Sequence, residues 1–274
     1  MKKGIVSLLL AAAMVLLAVT PAFAMGGSEA EGHTIEVTGS TSVYPLMEVL
    51  AANFMEMNPE VVINVSGTGS GDGVTGANTG VAEIGMASRN LKSSEMGYGL
   101  DELVIAVDAI AVVVNPENPV NDLSLEQIKK IYTGEVTNWS QVGGQDRPIS
   151  VISREPGSGT RGAFEGVVGF ADQLVAGAVE FDGTGGVRAA VAGNVNAIGY
   201  ISLGSMAPEV KALEVNGVEA TSENVVNGSY AVSRPFLILY REDKIHATTK
   251  KFLEYMVSTE VQHGVVAEKF VPVK

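Results

Sequence analysis

The 274-residue chain contains no cysteine, one tryptophan and three histidines. Without cysteine there is no disulfide framework, no thiolate metal site, no thiol nucleophile and no N-terminal cysteine to carry a lipid. Cations are scarce: 18 Lys plus Arg stand against 31 Asp plus Glu, a formal charge of −13. No basic run of the kind that neutralises phosphodiesters follows the first three residues, so nucleic acid is not an expected partner. His33, His246 and His263 are far apart in sequence and read as surface residues rather than a ligand cluster. The chain has no G-x-x-x-x-G-K-[ST] loop, no G-x-S-x-G elbow and no H-E-x-x-H helix. A serine hydrolase also needs a base, and no local motif pairs one with a serine. No metal or cofactor is expected, and the reading is a non-enzyme.

Glycine, at 32 residues, is the first positive clue, and 46% hydrophobic residues suffice for one large core or two smaller ones. Met1 to Ala24 reads as a cleaved export signal: Lys2 and Lys3, an apolar run from Ile5 to Val19, then Ala22-Phe23-Ala24. The alternative is an uncleaved membrane anchor, which the run barely permits. An exported, acidic, periplasmic monomer is therefore expected from Met25 onward.

Short β-rich runs alternate with helical ones, which predicts an α/β fold with mostly parallel sheets. Strands are expected at 34–38, 61–65, 82–86, 103–114, 149–153, 197–201, 210–215 and 236–240. The clearest helix spans Val43 to Asn58, where Val43, Leu46, Met47, Leu50, Ala51 and Phe54 share one face. Pro45 fits there only because it lies in the first turn. Further helices are expected at 124–132, 161–168, 187–192, 247–256 and 259–268, and Asn216-Gly217 marks a hairpin. The length favours two lobes. The extended segments around 103–114 and 230–240 can serve as paired crossovers, giving lobe I as 25–106 plus 236–274 and lobe II as 107–235.

One unit recurs without a fixed period: a strand runs into a Ser/Thr/Gly loop that opens a helix. It occurs at Gly39-Ser40-Thr41-Ser42, at Gly67-Thr68-Gly69-Ser70-Gly71-Asp72-Gly73 and at Arg154-Glu155-Pro156-Gly157-Ser158-Gly159-Thr160-Arg161. Asp182-Gly183-Thr184-Gly185-Gly186 is a weaker fourth copy. A helix start offers unpaired N–H donors and partial positive charge, small hydroxyl residues add donors, and glycine permits close approach. Converging units of this kind, with a forked guanidinium, suit a small tetrahedral oxyanion. Any single loop of this type is more often a plain helix cap; the set is the signal. Gly71-x-Gly73-x-x-Gly76 also matches a dinucleotide fingerprint, but a lone copy in an exported chain carries little.

Together with Ile84-Gly85-Met86-Ala87-Ser88-Arg89, Ile128 to Gly134, Asn138-Trp139, Ala197 to Tyr200 and Ser233-Arg234-Pro235, these loops resemble the phosphate-binding proteins of phosphate-specific ABC transporters. The resemblance covers nearly the whole chain after the leader. It implies a two-lobed periplasmic-binding-protein fold with two hinge crossover strands, a flytrap-like closure on inorganic phosphate, and delivery to a transmembrane permease of an ABC transporter. Carried over by position, the ligand-binding residues are Thr41, Ser42, Ser70, Ser88, Arg154, Ser158, Gly159 and Thr160. Ser40, Arg89, Asp72 and Glu155 form a second tier. Ser88 stands where well-known members have an aspartate that accepts the proton of hydrogenphosphate, so the repulsion of sulfate is weakened. Another oxyanion (sulfate, molybdate or tungstate) is the alternative within this class, and an exported phosphatase-like hydrolase the alternative outside it.

Overall fold

The computed structural model describes residues 32–274. The expected leader, Met1 to Ala24, lies outside the described residues.

The chain opens with strand β1 (Thr34–Gly39), helix α1 (Tyr44–Met57), β2 (Val62–Gly67), α2 (Ser70–Thr79) and β3 (Ile84–Ala87). Strands β2, β1 and β3 pair in parallel, so the loops that follow β1 and β2 emerge at one edge. In α1, Leu46, Met47, Leu50, Ala51 and Phe54 are the buried face, as their spacing requires, and Pro45 occupies the first turn. Helix α2 is not visible as an apolar periodicity, because Gly71, Gly73 and Gly76 dilute it. Packing explains the glycines: a Cβ on Gly73 would lie 2.4 Å from the Met86 carbonyl oxygen, and one on Gly76 would lie 2.8 Å from the Thr38 methyl. They let α2 lie directly on β1 and β3.

Strand β4 (Asp101–Val114) then carries the chain across. It leads to β5 (Asp122–Leu123), α3 (Leu125–Tyr132), β6 (Ser150–Arg154), α4 (Gly159–Val168), β7 (Val179–Phe181), α5 (Gly183–Ala192) and β8 (Ala197–Ser202). The expected strand at 210–215 is two short ones, β9 (Lys211–Ala212) and β10 (Glu214–Val215). At Leu213 the chain leaves its pairing with β4 and moves to β5. Val215 and Val218 bridge around Asn216 and Gly217, whose φ values of 56° and 72° suit the hairpin residues. After α6 (Ser222–Val226), β11 (Ser233–Tyr240) returns the chain, followed by α7 (Ala247–Met256) and α8 (Thr259–Gly264). The expected helix at 259–268 breaks after Gly264 into a short 3-10 turn, Val266–Glu268.

The strand order β2-β1-β3-β11-β4-β8-β6-β7 joins two half-sheets through β11 and β4, which run antiparallel. Only these crossovers and β3–β11 and β4–β8 depart from parallel pairing on that path. Two main cores flank the crossovers, beside a small third cluster of Val74, Ala77, Ala87, Leu91, Leu237 and Leu239. One gathers residues between Ile35 and Ala106 with residues between Phe236 and Phe270; the other lies wholly between Ala109 and Val232. The result is a two-lobed α/β protein hinged on two strands. Among the described residues no helix is long and apolar enough to cross a membrane.

Candidate functional site

The loop after β1 and the loop after β2 are tied together, since the Gly39 carbonyl accepts from Thr68 N at 2.7 Å and Gly69 N at 2.8 Å. The Ser40 hydroxyl accepts from Ser42 N at 3.2 Å and Val43 N at 3.4 Å, so it caps the start of α1. That leaves Thr41 and Ser42 facing the other half of the molecule. The Ser42 hydroxyl lies 2.9 Å from that of Thr160 and 3.2 Å from that of Thr184. Thr41 Oγ1 accepts from Arg154 Nη2 at 3.1 Å.

Arg154 ends β6, is 2% exposed, and is gripped by its neighbour: Nε and Nη2 donate to the two Glu155 oxygens at 2.8 and 2.7 Å. Its Nη1 donates to Thr184 Oγ1 at 3.3 Å. Glu155 therefore occupies one edge of the guanidinium and turns the other toward the hydroxyls. Ser158 caps α4 by accepting from Arg161 N at 3.2 Å, and Gly159 and Thr160 form the first turn.

At Gly159 the two halves lie against each other. A Cβ there would lie 2.2 Å from Ser70 Oγ and 2.8 Å from Ser88 Oγ, so only glycine admits this approach. Ser70 Oγ accepts from Ser88 N at 3.1 Å, and the two hydroxyls are 3.3 Å apart. The Gly157 carbonyl accepts from Gly71 N at 3.1 Å across the same seam. Thr41, Ser42, Ser70, Ser88, Arg154, Ser158, Gly159 and Thr160 thus gather around the N-terminal turn of α4. All but Thr41 are buried, as is Ser40.

The second-tier residues divide. Glu155 belongs to the cluster through Arg154. Asp72 is an exposed residue of the first turn of α2. Arg89 is buried, but it forms a two-point pair with Glu95 at 2.7 and 2.8 Å and lines a crevice of about 360 Å³ beside α4.

Two residues outside the expected ligand set join the cluster, both in segments that the sequence singles out. Thr184 sits in the weaker fourth loop, where its hydroxyl touches Thr41, Ser42 and Arg154. Arg234 on β11 is paired in register with Asp108 on β4, and both are essentially sealed from solvent. Its Nη1 donates to Ser88 Oγ at 3.3 Å. Burial pushes the Asp108 carboxyl above its ordinary value, and the Arg234 guanidinium offsets only part of that rise. A register partner 126 residues away in sequence leaves no local signal.

Hydroxyl donors, a helix start and a forked guanidinium from both lobes, enclosed between two hinged halves, define a two-lobed binding protein for a small anion. A family model described as "PBP superfamily domain" matches residues 26–260. The chain is 31% identical to the phosphate-binding protein PstS of Bacillus subtilis over 252 residues, 90% of this chain and 83% of that protein. Among solved structures it superposes with a putative phosphate ABC transporter substrate-binding protein from Clostridium perfringens, determined with bound phosphate. That match has TM-score 0.86 and 48% identity and covers 88% of this chain and 100% of the other. An ABC-type phosphate transport receptor from Vibrio cholerae matches with TM-score 0.73 and 38% identity, over 86% and 99% of the two chains. The chain belongs to the PstS family of phosphate-binding proteins within the PBP superfamily.

Proposed function

We propose that this chain captures inorganic phosphate between its lobes outside the cytoplasmic membrane and delivers it to the permease of an ABC transporter. The observation that carries the reading is the convergence of Thr41 and Thr184 on the buried Arg154, with Ser42 and Thr160 bonded alongside, contributed by loops from both halves of the molecule. Its relatives support it: the B. subtilis protein is named for phosphate binding, and the C. perfringens structure holds phosphate. The family is one of substrate-binding proteins, and the chemistry required is binding and release only.

Among the described residues the lobes are 32–106 with 236–274, and 107–235, a division supported by the two main cores. Phosphate is held by Thr41, Ser42, Ser70, Ser88, Arg154, Ser158, Gly159 and Thr160, with Thr184 added. Closure brings the α4 start onto the loops after β1 and β2, because Thr41, Ser42, Ser70 and Ser88 come from one half while Arg154, Ser158, Gly159 and Thr160 come from the other. The exported chain, freed of its leader, acts as a monomer. Isothermal titration with phosphate, sulfate, molybdate and arsenate tests the reading. Saturable one-to-one phosphate binding is expected, and absence of phosphate binding with tight binding of molybdate would replace it.

A further inference from the structure

The buried ion pair on the crossover strands does more than join them. Arg234 Nε and Nη2 both donate to Asp108 Oδ2, at 3.2 and 3.0 Å, while Ser202 Oγ donates to Asp108 Oδ1 at 2.9 Å. The remaining nitrogen, Nη1, turns to the other lobe and reaches Ser88 through its carbonyl at 3.4 Å and its hydroxyl at 3.3 Å. A cation fixed at the hinge is thus one hydroxyl away from the cluster at the start of α4.

The hydrogen-bond inventory shows what this does to Ser88. The Ser70 and Ser88 hydroxyls together carry two protons and four lone pairs. Their mutual contact uses one proton and one lone pair. Ser88 N takes a lone pair of Ser70, and Arg234 Nη1 takes one of Ser88. One proton and one lone pair remain for a guest; without Arg234 two lone pairs would remain. A guanidinium against Oγ also makes that oxygen a poorer acceptor and its proton a better donor.

We infer that Arg234 is a positioning residue for anion selection: acting through Ser88, it takes up one acceptor position of that hydroxyl and biases it toward donating, so the site admits sulfate beside phosphate. The inference rests on the phosphate reading above. Hydrogenphosphate brings a proton that needs an acceptor, whereas sulfate brings none. Freeing the Ser88 lone pair should therefore move the balance toward phosphate.

The test is the ratio of phosphate to sulfate affinity, measured by calorimetry on the full mature protein. D108N/R234Q removes both charges together and leaves an amide to accept from Ser202. Sulfate affinity is expected to fall by about tenfold and phosphate by clearly less, the scale of one charge-assisted hydrogen bond. A structural role alone would weaken both anions equally, and an unchanged ratio overturns the inference. Adding D108N/R234Q to a Ser88→Ala background should leave the ratio where Ser88→Ala sets it. A further shift there would show that Arg234 does not act through Ser88. Ser88→Ala alone keeps the ion pair and covers the case in which the charge-free protein does not fold: both anions should lose about tenfold, and undiminished sulfate binding overturns the donor role. Wild-type protein that binds neither anion would remove the phosphate reading itself, whereas phosphate binding with an unmoved ratio removes only this inference.

Discussion

Replacing Arg154 by alanine is the sharpest perturbation of the proposed site. The guanidinium is 2% exposed, and its five N–H groups are almost fully accounted for. Two go to Glu155, one to Thr41 and one to Thr184, which leaves one Nη1 proton free, and the two held by hydroxyls can turn to an incoming anion. Among the described residues, truncation removes the only arginine bonded to the Thr41 and Thr184 hydroxyls, and it leaves the Glu155 carboxylate facing the site with Gly183 N at 3.3 Å as its remaining partner. Losing one partner of a buried charge pair costs about 2–5 kcal/mol. That corresponds to a loss of roughly thirtyfold to several thousandfold in phosphate affinity. The unmasked carboxylate places the expected value in the upper part of that range, so removing Glu155 as well should return part of the loss. Arg154→Lys keeps the charge but loses the fork and should fall between wild type and alanine. Titration calorimetry at fixed ionic strength, beside a thermal melt to confirm folding, reads all three. An Arg154→Ala protein that melts normally and binds phosphate within about threefold of wild type would refute the assignment of Arg154 to the ligand.

Gly159→Ala should leave each lobe folded but hold the halves apart, because the new methyl meets Ser70 and Ser88; at least about tenfold weaker phosphate binding with a near-normal melting temperature is expected, and normal affinity would mean the seam is not the closing contact. Ser88→Asp places a carboxylate against Arg234 and should exclude sulfate by like-charge repulsion while phosphate still binds; competitive titration in which sulfate displaces phosphate as well as before would contradict it. Burial against the neighbouring core raises the Tyr200 phenol to about 12, partly offset by its hydrogen bond with Ser153. The neutral form is favoured in the folded protein, so this contribution is complete below about pH 10 and is lost as pH rises from there toward 12. Alkaline melts should therefore show a steeper decline for wild type than for Tyr200→Phe, and parallel curves would contradict the burial argument.

Much of the architecture is legible in the chain because hydrophobic period and loop chemistry agree. Helix α1 and strand β4 can be placed within about two residues, the usual scatter of element ends, and the Ser/Gly loops at 39–42, 67–73 and 154–160 open helices α1, α2 and α4. Helix α2 is hidden because its glycines answer to close packing on β1 and β3 rather than to helix propensity. Strand 210–215 divides because tertiary pairing changes partner at Leu213, which no local pattern records. At the site, residues carried by the loops can be named from sequence. Thr184 and Arg234 lie in segments that the sequence singles out, but their roles, like that of Asp108, arise from cross-strand register and lobe contact and are not read from it. Arg89 illustrates the reverse: beside Ser88 in sequence, it is held away by Glu95, which only the folded backbone brings to it.

The central claim is that loops from both lobes and Arg154 surround one tetrahedral anion at the start of α4. A crystal structure grown with phosphate tests it most directly. The account predicts phosphate oxygens within hydrogen-bond reach of Arg154, Ser42, Ser70, Ser88 and the Gly159 and Thr160 amides. Phosphate bound elsewhere, with Arg154 still engaged only by Glu155 and the threonines, would contradict it.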